Sequence, residues 1–179
     1  MKKQDIFLIL ICGLLILPFF LFSPVYSCYN KLNASHGILM AFAKFAVLST
    51  LGECIGLRIK TGRYSYPAFG IFPRALVWGF LGMWIAASMK IFGAGAPRFA
   101  EYLGINGVVG AMGGSLSGLK FVGAFFISLA MNTSFGPVFM TLHKVTDTHI
   151  VNNGGTLRGF FRPIPFGNIL QNLNWNVQG

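Results

Sequence analysis

Acidic residues are nearly absent from this 179-residue chain: four Asp and Glu stand against fourteen Lys and Arg, and charged types together reach only 10%. A soluble domain carries about 25% charged residues to cover its core. With 54% apolar residues and a mean hydropathy of +0.65, this chain has no such cover, and an integral membrane protein is implied. Cysteine is scarce as well. Cys12, Cys28 and Cys54 lie in or beside apolar segments, without C-x-x-C spacing or a histidine close in sequence, so neither a disulfide framework nor a metal site is indicated. His36, His143 and His149 are scattered, and the only acids are Asp5, Glu53, Glu101 and Asp147, which is thin material for acid/base catalysis. The phosphate-binding G-x-x-x-x-G-K, nucleophile-elbow G-x-S-x-G and zincin H-E-x-x-H patterns are missing. No catalytic residue, metal or cofactor is expected, and soluble-enzyme chemistry is disfavoured. A net charge of +10 would suggest nucleic acid in a soluble protein, but the basic residues fall between apolar runs without a patch of interleaved stacking aromatics. No nucleic-acid partner is expected; the charge reads as membrane topology.

Long apolar runs are what the chain has. The first, residues 6–26, follows Lys2 and Lys3 and at about 1.5 Å per residue just spans a hydrocarbon core of about 30 Å. The rival reading is a signal peptide, with Pro18 and Pro24 as breakers and a Ser27-Cys28 junction that imitates a cleavage site before a lipid-modified cysteine. Apolar residues continuing past Pro18 favour the retained helix. The second run, 36–57, is interrupted by Lys44, Glu53 and the small residues Gly37, Gly52 and Gly56, as in a helix that faces other helices. The third, 75–96, is entered through Pro73-Arg74 and closes in Gly93-Ala94-Gly95-Ala96-Pro97.

From Leu103 to Leu142 the chain is apolar or small for 40 residues, about twice what one crossing needs, so it must be broken. The glycine-rich part, 104–118, is expected to be a loop or a re-entrant segment, Gly110, Gly114 and Gly118 having the four-residue spacing that permits close helix approach. This leaves 119–142 as the fourth crossing, with a kink at Gly136-Pro137. Residues 143–179 read as a polar tail after a transmembrane bundle of residues 1–142. Within the tail, Phe166, Ile169, Leu170, Leu173 and Val177 form the apolar face of a short amphipathic helix. The fold class is thus an all-α polytopic helix bundle of about four crossings.

With the N-terminus inside, the inner segments hold Lys2, Lys3, Arg58, Lys60, Arg63, Arg74, Lys144, Arg158 and Arg162, nine basic residues, and the outer side holds three, Lys31, Arg98 and Lys120. The positive-inside rule therefore places both termini on the cytoplasmic side. Lys44 and Lys90 remain in the membrane.

Charges inside a bilayer cost about 2.5–3.5 kcal/mol at mid-helix on insertion scales, which makes Lys44, Glu53 and Lys90 the first candidates for function. Lys44 and Glu53, nine residues apart, point to opposite sides of one helix. Lys90 falls on the face of Gly79, Gly82 and Ala86 and is expected to point into the bundle. Ser128, Asn132, Gly136 and His143 form one stripe, provided that the kink does not rotate the last turn. Both stripes could line an aqueous path; a packing surface with interhelical hydrogen bonds is the plainer reading. His143 with Asp147 at i, i+4 is the one pair from which a membrane-embedded enzyme could be built; a surface contact is the plainer reading.

Four segments carry a family resemblance: Ala46–Leu57, AVLSTLGECIGL; Arg74-Ala75-Leu76 with Gly79; Lys120 to His143 with its mid-helix Pro; and Asn174-Trp175. In this order they resemble the small integral membrane proteins named after Mpv-seventeen, found in mitochondrial inner membranes and peroxisomes. Gly52 and Glu53 stand where that family has Gly-Asp, the second Arg of its R-x-x-R-x-x-x-x-G entry is lacking, and Gln178 and Gly179 replace the Trp and Pro of N-W-x-x-W-P. The similarity runs from about residue 38 to 179 and implies a further helix after Gly179. It also implies a pore-like, solute-permeation or membrane-homeostasis role, with no catalytic residue to carry over.

The expected function is accordingly a small membrane protein that forms or regulates a permeation path for small solutes. The alternative is a non-transporting scaffold or assembly factor. The expected partners are the lipid bilayer, small solutes and further copies of the chain.

Overall fold

The computed structural model describes residues 3–173; Asn174-Trp175, Val177, Gln178 and Gly179 lie outside them. Every element there is helical. Four stretches are long and apolar enough to cross a membrane: Gln4–Leu21, Gly37–Thr61, Ile71–Tyr102 and Gly118–Asn152. The chain is a multi-pass, all-α membrane protein.

It divides into two units, Met1–Met40 and Ala41–Gly179. The first holds α1 (Lys3–Leu21) and α2 (Ser23–Ser35). The expected single helix over 6–26 is broken at Phe22, which is extended at φ −124° and ψ 102°, with Pro24 in the first turn of α2. Proline lacks the N–H that continuation would need, while a first turn leaves that donor unused. Pro18, by contrast, is accommodated inside α1. Phe19 and Tyr29 meet edge to face at 5.3 Å.

The second unit is built on α3 (Gly37–Thr61) from Ala41 onward, α4 (Ile71–Tyr102) and the span Gly118–Asn152. Helix α4 does not close at Pro97, as its glycine-rich sequence suggests, but continues to Tyr102. Pro97 and Ala96 are buried, and the Arg98 guanidinium donates to the Ala94 carbonyl at 3.0 Å. Prolines persist in helices where neighbours and side chains satisfy the surrounding backbone. The segment after α4 makes one turn of helix, α5 (Val108–Met112), in which the Val109 amide donates to the Glu101 carboxylate at 2.9 Å. A Cβ on Gly110 or Gly118 would meet nothing within 4 Å, whereas one on Gly123 would lie 2.4 Å from Met112 Sδ. The close approach of α5 to the next helix therefore rests on Gly123 and not on the four-residue glycine repeat.

The fourth span comprises α6 (Gly118–Ala130), a π-helical turn (Met131–Phe135) and α7 (Gly136–Asn152). It runs ten residues beyond the expected end at Leu142, so His143 to Asn152 belong to the helical core and not to a polar tail. Val145, His149 and Ile150 are fully buried there. Ile150 packs with Val77 and Leu81 of α4, covered by Trp78, Trp84, Phe139 and Phe160. The short helices α8 (Leu157–Phe160) and α9 (Phe166–Gln171) follow. The latter realises the start of the expected amphipathic helix, with Ile169 buried and Gln171 exposed.

Candidate functional site: an intramembrane ionic cluster

Helices α3 and α4 run antiparallel with a readable register: Glu53 meets Arg74, and Gly82 meets Phe45 eight residues further along each helix. Glycine is needed at the crossing. A Cβ on Gly82 would lie 2.4 Å from Phe45 Cβ, and one on Gly79 would lie 2.5 Å from the Phe42 ring. The near approach brings the side chains of α3 into reach of α4.

Helix α4 begins at Gly70, which is left-handed at φ 71°. Gly155, at φ 68°, lies against it, and a Cβ on either would strike the other loop's backbone at 2.7–2.9 Å. These two glycines let the turn after α7 sit on the entry to α4. The Phe69 carbonyl is thereby held where Arg74 Nε donates to it at 2.6 Å, and the guanidinium lies 4.3 Å over the Phe69 ring. Pro73 in the first turn places Arg74 inside the helix, and its side chain is only 6% exposed. Behind the turn, buried His149 pairs with the Phe160 carbonyl at 3.1 Å, and the Asn153 amide reaches its other ring nitrogen at 3.3 Å. A carbonyl only accepts, so Nε2 carries the proton and Nδ1 accepts from Asn153.

Arg74 Nη1 bonds both Glu53 Oε2 and Asp147 Oδ1. Glu53 Oε1 accepts from Trp78 Nε1 at 2.9 Å and faces His143 Nε2 at 3.0 Å. The Trp78 and His143 rings are 4.5 Å apart. Four ionisable side chains from three helices thus converge on one point, one to three turns from the end of the unit where α3 and α7 finish and α4 begins. A guanidinium forking between two carboxylates and a carboxylate taking three donors is the arrangement in which buried charge is tolerated. Cys54, adjacent to Glu53, is buried, and the Thr50 hydroxyl one turn earlier is buried with no hydrogen-bond partner among the described residues.

Glu53, His143 and Asp147 also place one ligand atom each within 4.8 Å of one another, a donor set with metal chemistry. Arg74 already bonds both carboxylates, and its fixed charge takes the place a metal cation would need. The cluster is therefore read as an ion-pair network.

The sequence-derived candidates divide. Glu53 and His143 belong to the cluster, and Asp147 joins them instead of forming an isolated surface pair with His143. Lys90, Ser128 and Asn132 are exposed, and for Lys90 this corrects the expectation that it points into the bundle. For Lys90 the reason is register: eight residues past Gly82 its counterpart is the first residue of α3, so the partner helix has run out. For Ser128 and Asn132 it is the π turn, since one extra residue rotates the two halves of the span against each other by about 100°. His143 consequently turns inward while Asn132 bonds back to the Ser128 carbonyl at 2.8 Å, beside a groove of about 440 Å³ that Met89 and Phe135 also line. Lys44 is half-buried on α3. Arg74 and Trp78 were not candidates. Their signals are a proline in a first helical turn and an i, i+4 spacing behind it, but a basic residue at the start of an apolar run also reads as a loop charge. No protein-family model, curated protein or solved structure matches the chain.

Proposed function

We propose that the protein forms or regulates a path for small solutes across its membrane, and that the Glu53–Arg74–His143–Asp147 cluster is the latch at one end of that path. The observation that carries this reading is the convergence of four ionisable groups, from three membrane-spanning helices, in a chain with only four acids. Ionisable residues inside membrane proteins are costly and rare, pair with one another or face a cavity, and mark solute or ion pathways. A gate requires an element with two arrangements, and in this reading the network supplies the closed one. Closed, it ties α4 to α3 and α7. The resemblance to the Mpv-seventeen family points to the same class of role.

A non-transporting scaffold is the second reading, and a specific observation favours it: Lys90 and Asn132 do not converge with Glu53, and Trp78, Trp84, Phe135 and Phe139 fill the space between α4 and α7. Liposomes containing the purified protein separate the two. Under the permeation reading they leak small solutes faster than empty liposomes, and Glu53→Gln, which weakens the latch, raises the leak severalfold. Vesicles that stay tight with both proteins, across lipids and voltages, give first place to the scaffold.

A further inference from the structure

The charge count of the cluster is uneven. Glu53 and Asp147 contribute two negative charges and Arg74 one positive, so with His143 neutral the four groups sum to minus one. An unbalanced charge is expensive away from water. We propose that the cluster is a proton-binding site, with His143 taking up the one cation that balances it. The inference deepens the latch reading by naming the ion, yet proton uptake itself does not depend on whether solutes permeate.

The hydrogen bonds define where the proton goes. Glu53 Oε1 also accepts from Trp78 Nε1 at 2.9 Å, and a carboxylate oxygen cannot donate, so the 3.0 Å contact to His143 Nε2 has the imidazole as donor. Nδ1 is then the basic nitrogen. Protonation there converts a neutral donor into an imidazolium bonded to a carboxylate, which strengthens the contact to Glu53 and competes with Arg74 for the same group. The charged groups facing His143 are those already named: Glu53 from α3, Arg74 from α4, and Asp147 one turn along α7. Uptake of the proton would loosen Arg74 from Glu53 without leaving either carboxylate unpaired, because Asp147 still holds the guanidinium. A two-state latch biased by one proton follows.

Trp78 supplies a reporter, since its ring lies 4.5 Å from that of His143 and an imidazolium in contact with an indole quenches its fluorescence. The experiment uses full-length protein in detergent micelles with Trp84→Phe and Trp175→Phe, leaving Trp78 as the one emitter. Emission is followed from about pH 8 to about pH 5, the range over which imidazoles change charge. The expected result is a single-proton transition with at least a twofold fall in emission. His143→Gln, whose amide can still donate to Glu53, abolishes the transition. Asp147→Asn, which removes one negative charge from within 4.8 Å of the imidazole's ligand atom, moves the midpoint down by about one pH unit. Emission independent of pH overturns the proposal, as does a transition that survives His143→Gln or a midpoint that Asp147→Asn leaves in place. If the two phenylalanine replacements prevent folding, the same titration on the unmodified chain, with Trp78→Phe as the control that must erase it, makes the same decision. A proton transition in vesicles that do not leak would retain the site and reject the permeation role, so the two readings fail separately.

Discussion

Trp78 and His143 reach the same atom, Oε1 of Glu53, from two different helices, at 2.9 and 3.0 Å, with their rings 4.5 Å apart. Neither contact is local in sequence: Glu53 is 25 residues from Trp78 and 90 from His143. A carboxylate in this position fixes the relative rotation of α3, α4 and α7, because each helix has one angle at which its donor or acceptor meets the others. The aromatic contacts behind it, Trp84 with Phe135 at 4.8 Å and Phe135 with Phe139 at 5.4 Å, supply area but tolerate sliding. The polar contacts supply the register.

Among the described residues, Arg74 is the one cation that bonds both carboxylates of the cluster. Arg74→Met removes the shared partner of two carboxylates that are 18% and 28% exposed. Deleting one member of a buried pair costs about 3–5 kcal/mol, and thermal unfolding in detergent is expected to show a loss of that order. Adding Glu53→Gln and Asp147→Asn to the same protein removes the stranded charges and should return part of the stability. A triple variant less stable than Arg74→Met alone would contradict the ion-pair account.

Close packing of α3 on α4 gives a second contrast. Gly82→Val places new methyls where a Cβ alone would already lie 2.4 Å from Phe45 Cβ, and overpacking of this kind costs about 1–3 kcal/mol. Lys90→Met, on the exposed surface of the same helix, is expected within about 0.5 kcal/mol of the parent. Equal effects at the two positions would mean that the α3–α4 crossing is not where the register places it.

Much of this architecture is legible from hydropathy alone, because a span must be apolar over a fixed length whatever its neighbours. Three of the spans are recognisable, with end shifts of several residues, and the first is cut short at Phe22. The shifts have local causes: Pro24 falls in the first turn of a new helix behind the extended Phe22, and Pro97 does not stop a helix where Arg98 bonds the Ala94 carbonyl. The ionic cluster is half legible. Glu53 and His143 stand out as polar residues in apolar runs, and Asp147 follows at i, i+4, but their meeting with Arg74 depends on an antiparallel register and on the Gly70–Gly155 contact between loops 85 residues apart. The π turn is the clearest limit, since angular stripes drawn through Asn132 and His143 assume an unbroken helix of 3.6 residues per turn.

Thr50 offers a test of opposite sign. Its hydroxyl is buried without a hydrogen-bond partner among the described residues, and an unsatisfied buried donor costs about 1–3 kcal/mol. Thr50→Val keeps the shape and removes the hydroxyl, so it is expected to raise stability by about 1 kcal/mol. A destabilised Thr50→Val would show that the hydroxyl has a partner, for which an ordered water one turn from Glu53 is the natural identity.

The last prediction concerns orientation: with Arg74 withdrawn into the cluster, eight basic residues remain in the segments assigned to the inner side against three on the outer. Arg63 lies in the exposed turn between α3 and α4, and Arg98 is exposed near the far end of α4, so the 32-residue helix carries them to opposite sides if it crosses the membrane. Single cysteines at these positions, Arg63→Cys and Arg98→Cys, in a chain with Cys12, Cys28 and Cys54 replaced by alanine, are treated with a membrane-impermeant maleimide in intact cells. Arg98→Cys is expected to react at once, and Arg63→Cys only after permeabilisation. The reverse pattern would invert the protein and place the Glu53–Arg74 end outside. Labelling of both, or of neither until permeabilisation, would deny that α4 is a crossing and so remove the ionic cluster from the membrane.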